Sequence, residues 1–330
     1  MDYSIDERTL CRARDEWFAR LQDFFDGKTA YPGGFPMLGS IIGPDESTYT
    51  APEEWVDRCL DDIARNRASA VMNQEKFVPV GLWCFVYGVH FMDKILGGHV
   101  YAHRGQWNCD YLRTPIGSLE EPDLLANETF QIALRAAQHF ARVGGDFPIF
   151  GLPVIASPLN IGLNLYGQEL LIAMLEEPES ARKDLETINR TLIRAHRIFR
   201  ENIPPKQLQC PVPDTRTQPP GYGQICGCST HLVGAELYRE LVADLDEEVL
   251  NVYENGGMIH LCGNHMQHLE TFKNMKSLKA IQLNDRASED LQLYFEGTRE
   301  DQIIYLECCE GMPEERALEI TKGRRLVLMG

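Results

Sequence analysis

The chain has 330 residues, 44% of them hydrophobic, which is enough apolar content for one large core or two ordinary domains. Its 49 acidic and 32 basic residues leave a net charge of −17, which disfavours nucleic acid and anionic membrane surfaces as partners. No run of about 18 uninterrupted apolar residues suggests a membrane span. The start, Met1-Asp2-Tyr3-Ser4-Ile5-Asp6-Glu7, lacks a secretory leader's basic and apolar regions, so the ten cysteines read as reduced thiols in a cytoplasmic setting.

Along the chain, residues 8–25 set Leu10, Trp17, Leu21 and Phe24 among charges at helical spacing, which predicts an amphipathic helix outside the main body, ended by Gly27, Pro32, Gly33 and Gly34. Residues 35–42 predict a first strand. Residues 52–70 predict a helix, with Thr50 as a cap before Pro52, and 77–85 an apolar strand. The aromatic segment 83–107 carries His90, His99 and His103 at spacings that match no standard metal pattern. A helix over 122–141, a Gly144-Gly145-Asp146 turn and a strand over 146–155 follow, then helices over 166–175 and 181–202. Residues 209–220 are Pro-rich and read as a loop. A strand end at 223–228, a helix at 235–254 and late strands at 278–283, 303–306 and 325–328 complete the series. Strands alternating with helices predict a parallel sheet in an α/β fold.

The chemistry concentrates in the second half. Gly257-Met258-Ile259 reads as a short buried strand leading into His260-Leu261-Cys262-Gly263-Asn264. Alternation sends His260 and Cys262 to one face, where an imidazole and a thiol can hold zinc once other ligands join them. The other reading is a pair of ordinary core side chains. Gly263 allows a sharp turn after the pair. The next strand exits at Asp285, a candidate ligand or a helix cap. The strand after that exits into Cys308-Cys309. Neighbouring side chains point to opposite faces, so one of the two thiols reaches inward; Gly311 favours Cys309, with Cys308 the alternative. Cys226 and Cys228 form a C-x-C at a strand exit, able to donate to a metal or to line a substrate pocket together with Asn264 and Trp83. His265 and His268 are expected on a solvated helix face.

The segment 256–264 resembles the signature of the uroporphyrinogen decarboxylase superfamily, in particular its zinc-dependent, cobalamin-linked methyltransferases. The stretch from Pro153 to Leu175, including Gly167, resembles that family's third strand and following helix. Glu176-Glu177-Pro178-Glu179 and Glu236-Leu237-Tyr238 add to the likeness, which spans residues 75–310. The resemblance implies a (β/α)8 TIM barrel over 31–330 with an N-terminal helical extension over 1–30, and chemistry at the C-terminal strand ends. It also implies zinc, and methyl transfer between cobalamin on a partner corrinoid protein and a small thiol or methylated substrate.

The chain departs from its relatives in two ways. Their last Cys ligand ends the final strand, whereas Arg325-Leu326-Val327-Leu328 runs into Met329-Gly330. Either the ligand has moved to Cys308 or Cys309, or the set is incomplete. The decarboxylases also carry an Arg-rich segment after the first strand and an Asp near a middle strand. Residues 35–43 contain no Arg, and residues 225–230 no acid. Decarboxylation needs such carboxylate clamps and a counter-charge, so uroporphyrinogen is not the expected substrate. A barrel that binds a small molecule or metal without turnover is the reading from a different class.

Overall fold

The structure is a computed structural model that describes residues 3–154, 156–210 and 216–329. Its strands are β1 (Phe35–Met37), β2 (Ser40–Ile42), β3 (Val80–Trp83), β4 (His99–His103), β5 (Gln106–Asp110), β6 (Ile149–Gly151), β7 (Leu208–Gln209), β8 (Gly223–Cys226), β9 (Gly257–Cys262), β10 (Leu278–Asn284), β11 (Ile303–Glu307) and β12 (Leu326–Met329). A six-stranded sheet has the order β1-β12-β11-β10-β9-β8, and a four-stranded sheet the order β2-β3-β6-β7. All pairs in both are parallel, and most successive strands are joined by helices. The antiparallel pair β4–β5 stands apart. Among the described residues no helix is long and apolar enough to cross a membrane.

Two single parallel bridges connect the sheets, Met37 to Phe77 and Ala156 to Cys226. The expected first strand over 35–42 is divided: β1 pairs with β12, and β2 pairs with β3. At the division Leu38 N–H donates to Phe77 O at 2.9 Å, and Phe77 N–H donates to Pro36 O at 3.0 Å.

The strand register lays side chains in rows. Cys226 on β8 lies opposite His260 on β9, His260 opposite Gln282 on β10, and Gln282 opposite Tyr305 on β11. One row nearer the strand starts, Met258, Ala280 and Ile303 pack with Phe35, Phe77 and Ile149. The helix Glu7–Phe25 adds Trp17, Phe18, Leu21, Phe24 and Phe25 to this same cluster. Trp17 stacks on Phe77 at 5.8 Å, and Phe25 meets Tyr305 edge-on at 6.3 Å. The N-terminal helix therefore covers the apolar layer beneath the row that carries His260.

Several local expectations change. Thr50 ends a short 3₁₀ turn, and Ala51 precedes the helix Pro52–Asp62 with no side-chain cap; the rest of 52–70 is a π segment, Ile63–Arg67, followed by 3₁₀ turns. The helix expected from 122 starts at Glu128, because the Asn127 side chain accepts from Phe130 N–H there. Gly167, at φ +62, divides the helices Pro158–Tyr166 and Gln168–Glu176. Helices Ala235–Leu241 and Ala243–Leu250 replace one continuous helix over 235–254. The strand expected over 146–155 contracts to β6, and Ile155 lies outside the described residues, as do 211–215 of the expected loop.

The pairing of β8 with β9 depends on two glycines directly opposite each other, Gly223 and Gly257. A Cβ at Gly257 would lie 2.2 Å from Gly223 O, and backbone cannot yield as a flexible side chain does. Gly257→Ala should cost about 1–3 kcal/mol or more, read as a lower urea midpoint at unchanged slope. An unchanged midpoint would contradict so close an approach of the two strands.

Candidate metal centre

Three cysteines and one histidine converge where β8 and β9 end. β8 delivers Cys226, the turn after it delivers Cys228, and β9 delivers His260 and Cys262. One ligand atom from each of Cys226, Cys228 and His260 lies within 4.8 Å of the others. The Cys226 and Cys228 sulfurs are 3.5 Å apart, and those of Cys228 and Cys262 are 2.7 Å apart. Sulfurs sharing a tetrahedral zinc at about 2.3 Å would sit about 3.7 Å from one another. The Cys226–Cys228 pair already has about that spacing, and Cys262 touches Cys228 from outside the close trio of Cys226, Cys228 and His260. The trio fits zinc in chemistry and spacing, with Cys262 as a neighbouring fourth thiol.

Neighbours fix each donor. His260 Nδ1 is hydrogen-bonded to Gln282 Oε1, and Gln282 Nε2 donates to Leu283 O at 2.8 Å. Because its own Nε2 is committed to that carbonyl, the glutamine presents oxygen to the imidazole and holds a proton on His260 Nδ1, which turns the ring's Nε2 toward the thiols. Asn160 Nδ2 donates to the Cys226 sulfur at 3.4 Å, and its Oδ1 accepts from Ser229 N–H at 3.0 Å. His265 Nε2 donates to Cys262 O at 2.7 Å, while its Nδ1 accepts from the Thr230 hydroxyl at 2.8 Å.

The thiols perturb one another. Hydrogen bonding with Cys228, then with His260, holds the Cys262 thiol down to about 5. Cys228 is also the main cause that brings Cys226 to about 6, against its own burial. Cys228, between these two neighbours, is pushed far up. Thiolates are the form that binds metal.

The other residues proposed from sequence occupy varied places. Asp285 is exposed at φ 48 just past β10, with its charge acting on Cys262. Cys308 is exposed beyond β11, and Cys309 bridges to Met312. Asp285, Cys308 and Cys309 belong to no close group of three metal-binding atoms among the described residues. Asn264 is exposed, and its side-chain oxygen accepts from Met266 N–H at 3.0 Å. Trp83, at the end of β3, stacks on Phe85 at 4.0 Å and donates to Leu152 O at 2.9 Å. His265 and His268 are fully buried, contrary to the solvated face expected, because the chain forms a 3₁₀ turn there that draws both rings against Thr230. His90 pairs with Asp93 at 2.6 Å and, with Cys109, forms a second close group, a contact that spacing did not suggest.

Sequence reasoning did not single out Gln282, Asn160 or Arg216. Gln282 had a legible signal: a polar residue inside the apolar strand Leu278–Asn284, with the alternation that faces it toward His260. Asn160 reaches the site from a helix, and Arg216 is buried in a loop, where no periodicity marks them.

No protein-family model matches the chain, and no curated protein matches it. Among solved structures it is similar to a methyltransferase from Methanosarcina mazei, at 14% sequence identity and a TM-score of 0.65, over 95% of this chain and 92% of that one. The likeness gives the chain an α/β fold shared with that protein across nearly its whole length.

Proposed function

We propose that this chain is a zinc-dependent methyltransferase of the uroporphyrinogen decarboxylase superfamily, exchanging a methyl group between cobalamin on a partner corrinoid protein and a small thiol. The observation that carries the reading is the convergence of Cys226, Cys228, His260 and Cys262 at the C-terminal ends of parallel strands. The fold likeness to a methyltransferase supports it. On this reading the two sheets form one (β/α)8 barrel over 31–330, with β1 and β2 sharing one position and β7 and β8 another. Residues 1–30 form a helical extension across its floor. Active sites of such barrels lie at the strand C-termini, where this cluster is.

His260, Cys228 and Cys262 would hold the zinc, with Cys228 supplying the thiol first sought at Cys308 or Cys309. Zinc supplies a charge that keeps a substrate thiol deprotonated at neutral pH. Gln282 fixes the His260 tautomer, and His265 pins the Cys262 carbonyl as β9 ends. Cys226 is the fourth donor and the one we assign to give way to substrate. The Asn160 amide stands ready to stabilise its sulfur off the metal.

One observation favours a second reading. Three cysteines and a histidine are the donor set of a closed structural zinc site without turnover. Substitution separates the two. Protein purified without chelator should contain about one zinc per chain. Cys228→Ser and Cys262→Ser should weaken zinc at least about 100-fold by competition with a chromophoric chelator, whereas Cys226→Ser should keep zinc within about tenfold of wild type. Equal losses from all three would establish the closed site. Gln282→Leu should lower zinc affinity about 10–100-fold, as removal of such an orienting partner does elsewhere. Unchanged affinity would remove Gln282 from the centre.

The activity is tested by incubating zinc-loaded protein with free methylcobalamin and 2-mercaptoethanol while following the cobalamin spectrum. Thiol-dependent demethylation, abolished by chelation and restored by zinc, is the expected result. Zinc-loaded protein that leaves methylcobalamin unchanged across a range of thiols would refute the proposal.

A further inference from the structure

A second group of metal-binding side chains stands outside the thiol–imidazole centre, and the proposed chemistry does not use it. One ligand atom from each of His90, Asp93 and Cys109 lies within 4.8 Å of the others. His90 and Asp93 sit where a 3₁₀ turn runs into the short helix Phe91–Ile95. Cys109 comes from β5, paired in register with Val100 of β4. This hairpin belongs to neither of the larger sheets. Gly98 lets the two parts meet: a Cβ there would lie 2.7 Å from Cys109 Sγ and 2.8 Å from Asp93 O. A side chain at that position would push the sulfur away from the helix.

Asp93 is fully buried, and a buried carboxylate is costly unless it is paired. Its Oδ2 accepts from Asn164 Nδ2 at 2.8 Å and meets His90 Nδ1 at 2.6 Å. Its Oδ1 is buried too and has no hydrogen-bond partner. An oxygen in that state calls for a proton donor or a cation, and a thiol and an imidazole flank it. A Cys–His–Asp nucleophile relay uses the same residue types, but its imidazole must bond to the sulfur. Here the Cys109 thiol donates to Asp110 O at 3.4 Å instead. Burial, then the charge of Asp93, pushes that thiol up to about 12, the reverse of an activated nucleophile. One sulfur, one nitrogen and one carboxylate oxygen suit a cation of intermediate softness such as zinc, and three protein ligands leave a position open. Ligands sharing one zinc sit about 3–4 Å apart, so shifts of about an ångström would seat it. His90 and Cys109 are each partly exposed, which gives an ion a way in.

We propose that His90, Asp93 and Cys109 form a second site for a zinc-like divalent cation, which fastens the β4–β5 hairpin to the helix Phe91–Ile95. The Cys109 proton leaves to solvent as the sulfur–metal bond forms, and the metal gives the buried Asp93 carboxylate the positive partner that Oδ1 lacks. With one thiol in place of three, and that thiol held protonated by burial, the site is weaker than the strand-end centre. It therefore fills on titration and adds nothing to the zinc retained through purification. The inference does not rest on the methyltransferase reading.

Cobalt(II) titrated into the zinc-loaded full chain tests it, because a cobalt–thiolate absorption band reports sulfur at the metal. About one further equivalent should bind with that band, while metal analysis finds the first zinc retained. Cys109→Ser should abolish the band and weaken this equivalent at least about tenfold, since loss of an outer-shell partner alone costs about that much. Asp93→Asn should weaken it comparably. No second equivalent in the wild type would overturn the proposal and leave His90–Asp93 an ordinary buried pair. A second equivalent without the band, or one equally tight in Cys109→Ser, would overturn it as well. A measurement on the wild type alone covers variants that fail to fold: iodoacetamide labelling of Cys109, read by peptide mass, should slow at least about tenfold once cobalt is bound. Equal labelling with and without cobalt would contradict the site. If the strand-end thiols hold no metal, that reading fails alone, and protection of Cys109 still decides this one.

Discussion

The pairing of β8 with β9 is the constraint on which the centre depends. Gly223 and Gly257 let the two backbones meet without side chains between them at the strand starts. Three residues further on, that register sets Cys226 against His260. The next pairing, β9 with β10, sets His260 against Gln282. A slip of one residue would turn His260 and Cys262 to the opposite face. The aromatic layer below, sealed by the N-terminal helix, holds these strands from the floor side, so the ligands extend from a packed base.

Electrostatics then completes what register begins. The Cys226 and Cys262 thiols are lowered in pKa and the Cys228 thiol between them is raised, each chiefly by hydrogen bonding among the three; a metal takes up such thiols as thiolates. The same crowding raises the question of turnover, because three thiols and an imidazole are also the donor set of a structural zinc. The Asn160 amide donates to the Cys226 sulfur at 3.4 Å, which sets this thiol apart from the other two. The Arg216 guanidinium is buried with Nε and Nη1 unpaired, in a segment held by Tyr305.

Much of this was legible in the sequence, though unevenly. The pair His260 and Cys262 follows from strand alternation at the end of an apolar run, and β9–β11 stand close to where hydrophobic runs put them. Cys226 and Cys228 were visible as a C-x-C at a strand exit, but their spacing alone could not separate a metal ligand from a pocket lining. Only the β8–β9 register brings Cys228 against Cys262. Helix boundaries shifted where side-chain caps or a positive-φ glycine decided them, as at Asn127 and Gly167. The burial of His265 and His268 was hidden because a 3₁₀ turn, not a regular helix, follows β9. Arg216 left no mark in the sequence: a lone basic residue in a Pro-rich stretch reads as solvent-exposed until the fold encloses it.

The account's central claim is that His260 and the clustered thiols hold a metal at the strand ends. X-ray absorption at the zinc edge of the native full-length protein tests it most directly. The account predicts a first shell dominated by sulfur at about 2.3 Å, with one nitrogen at about 2.0–2.1 Å. A shell of oxygen and nitrogen without sulfur, or a protein that takes up no zinc at all, would contradict it.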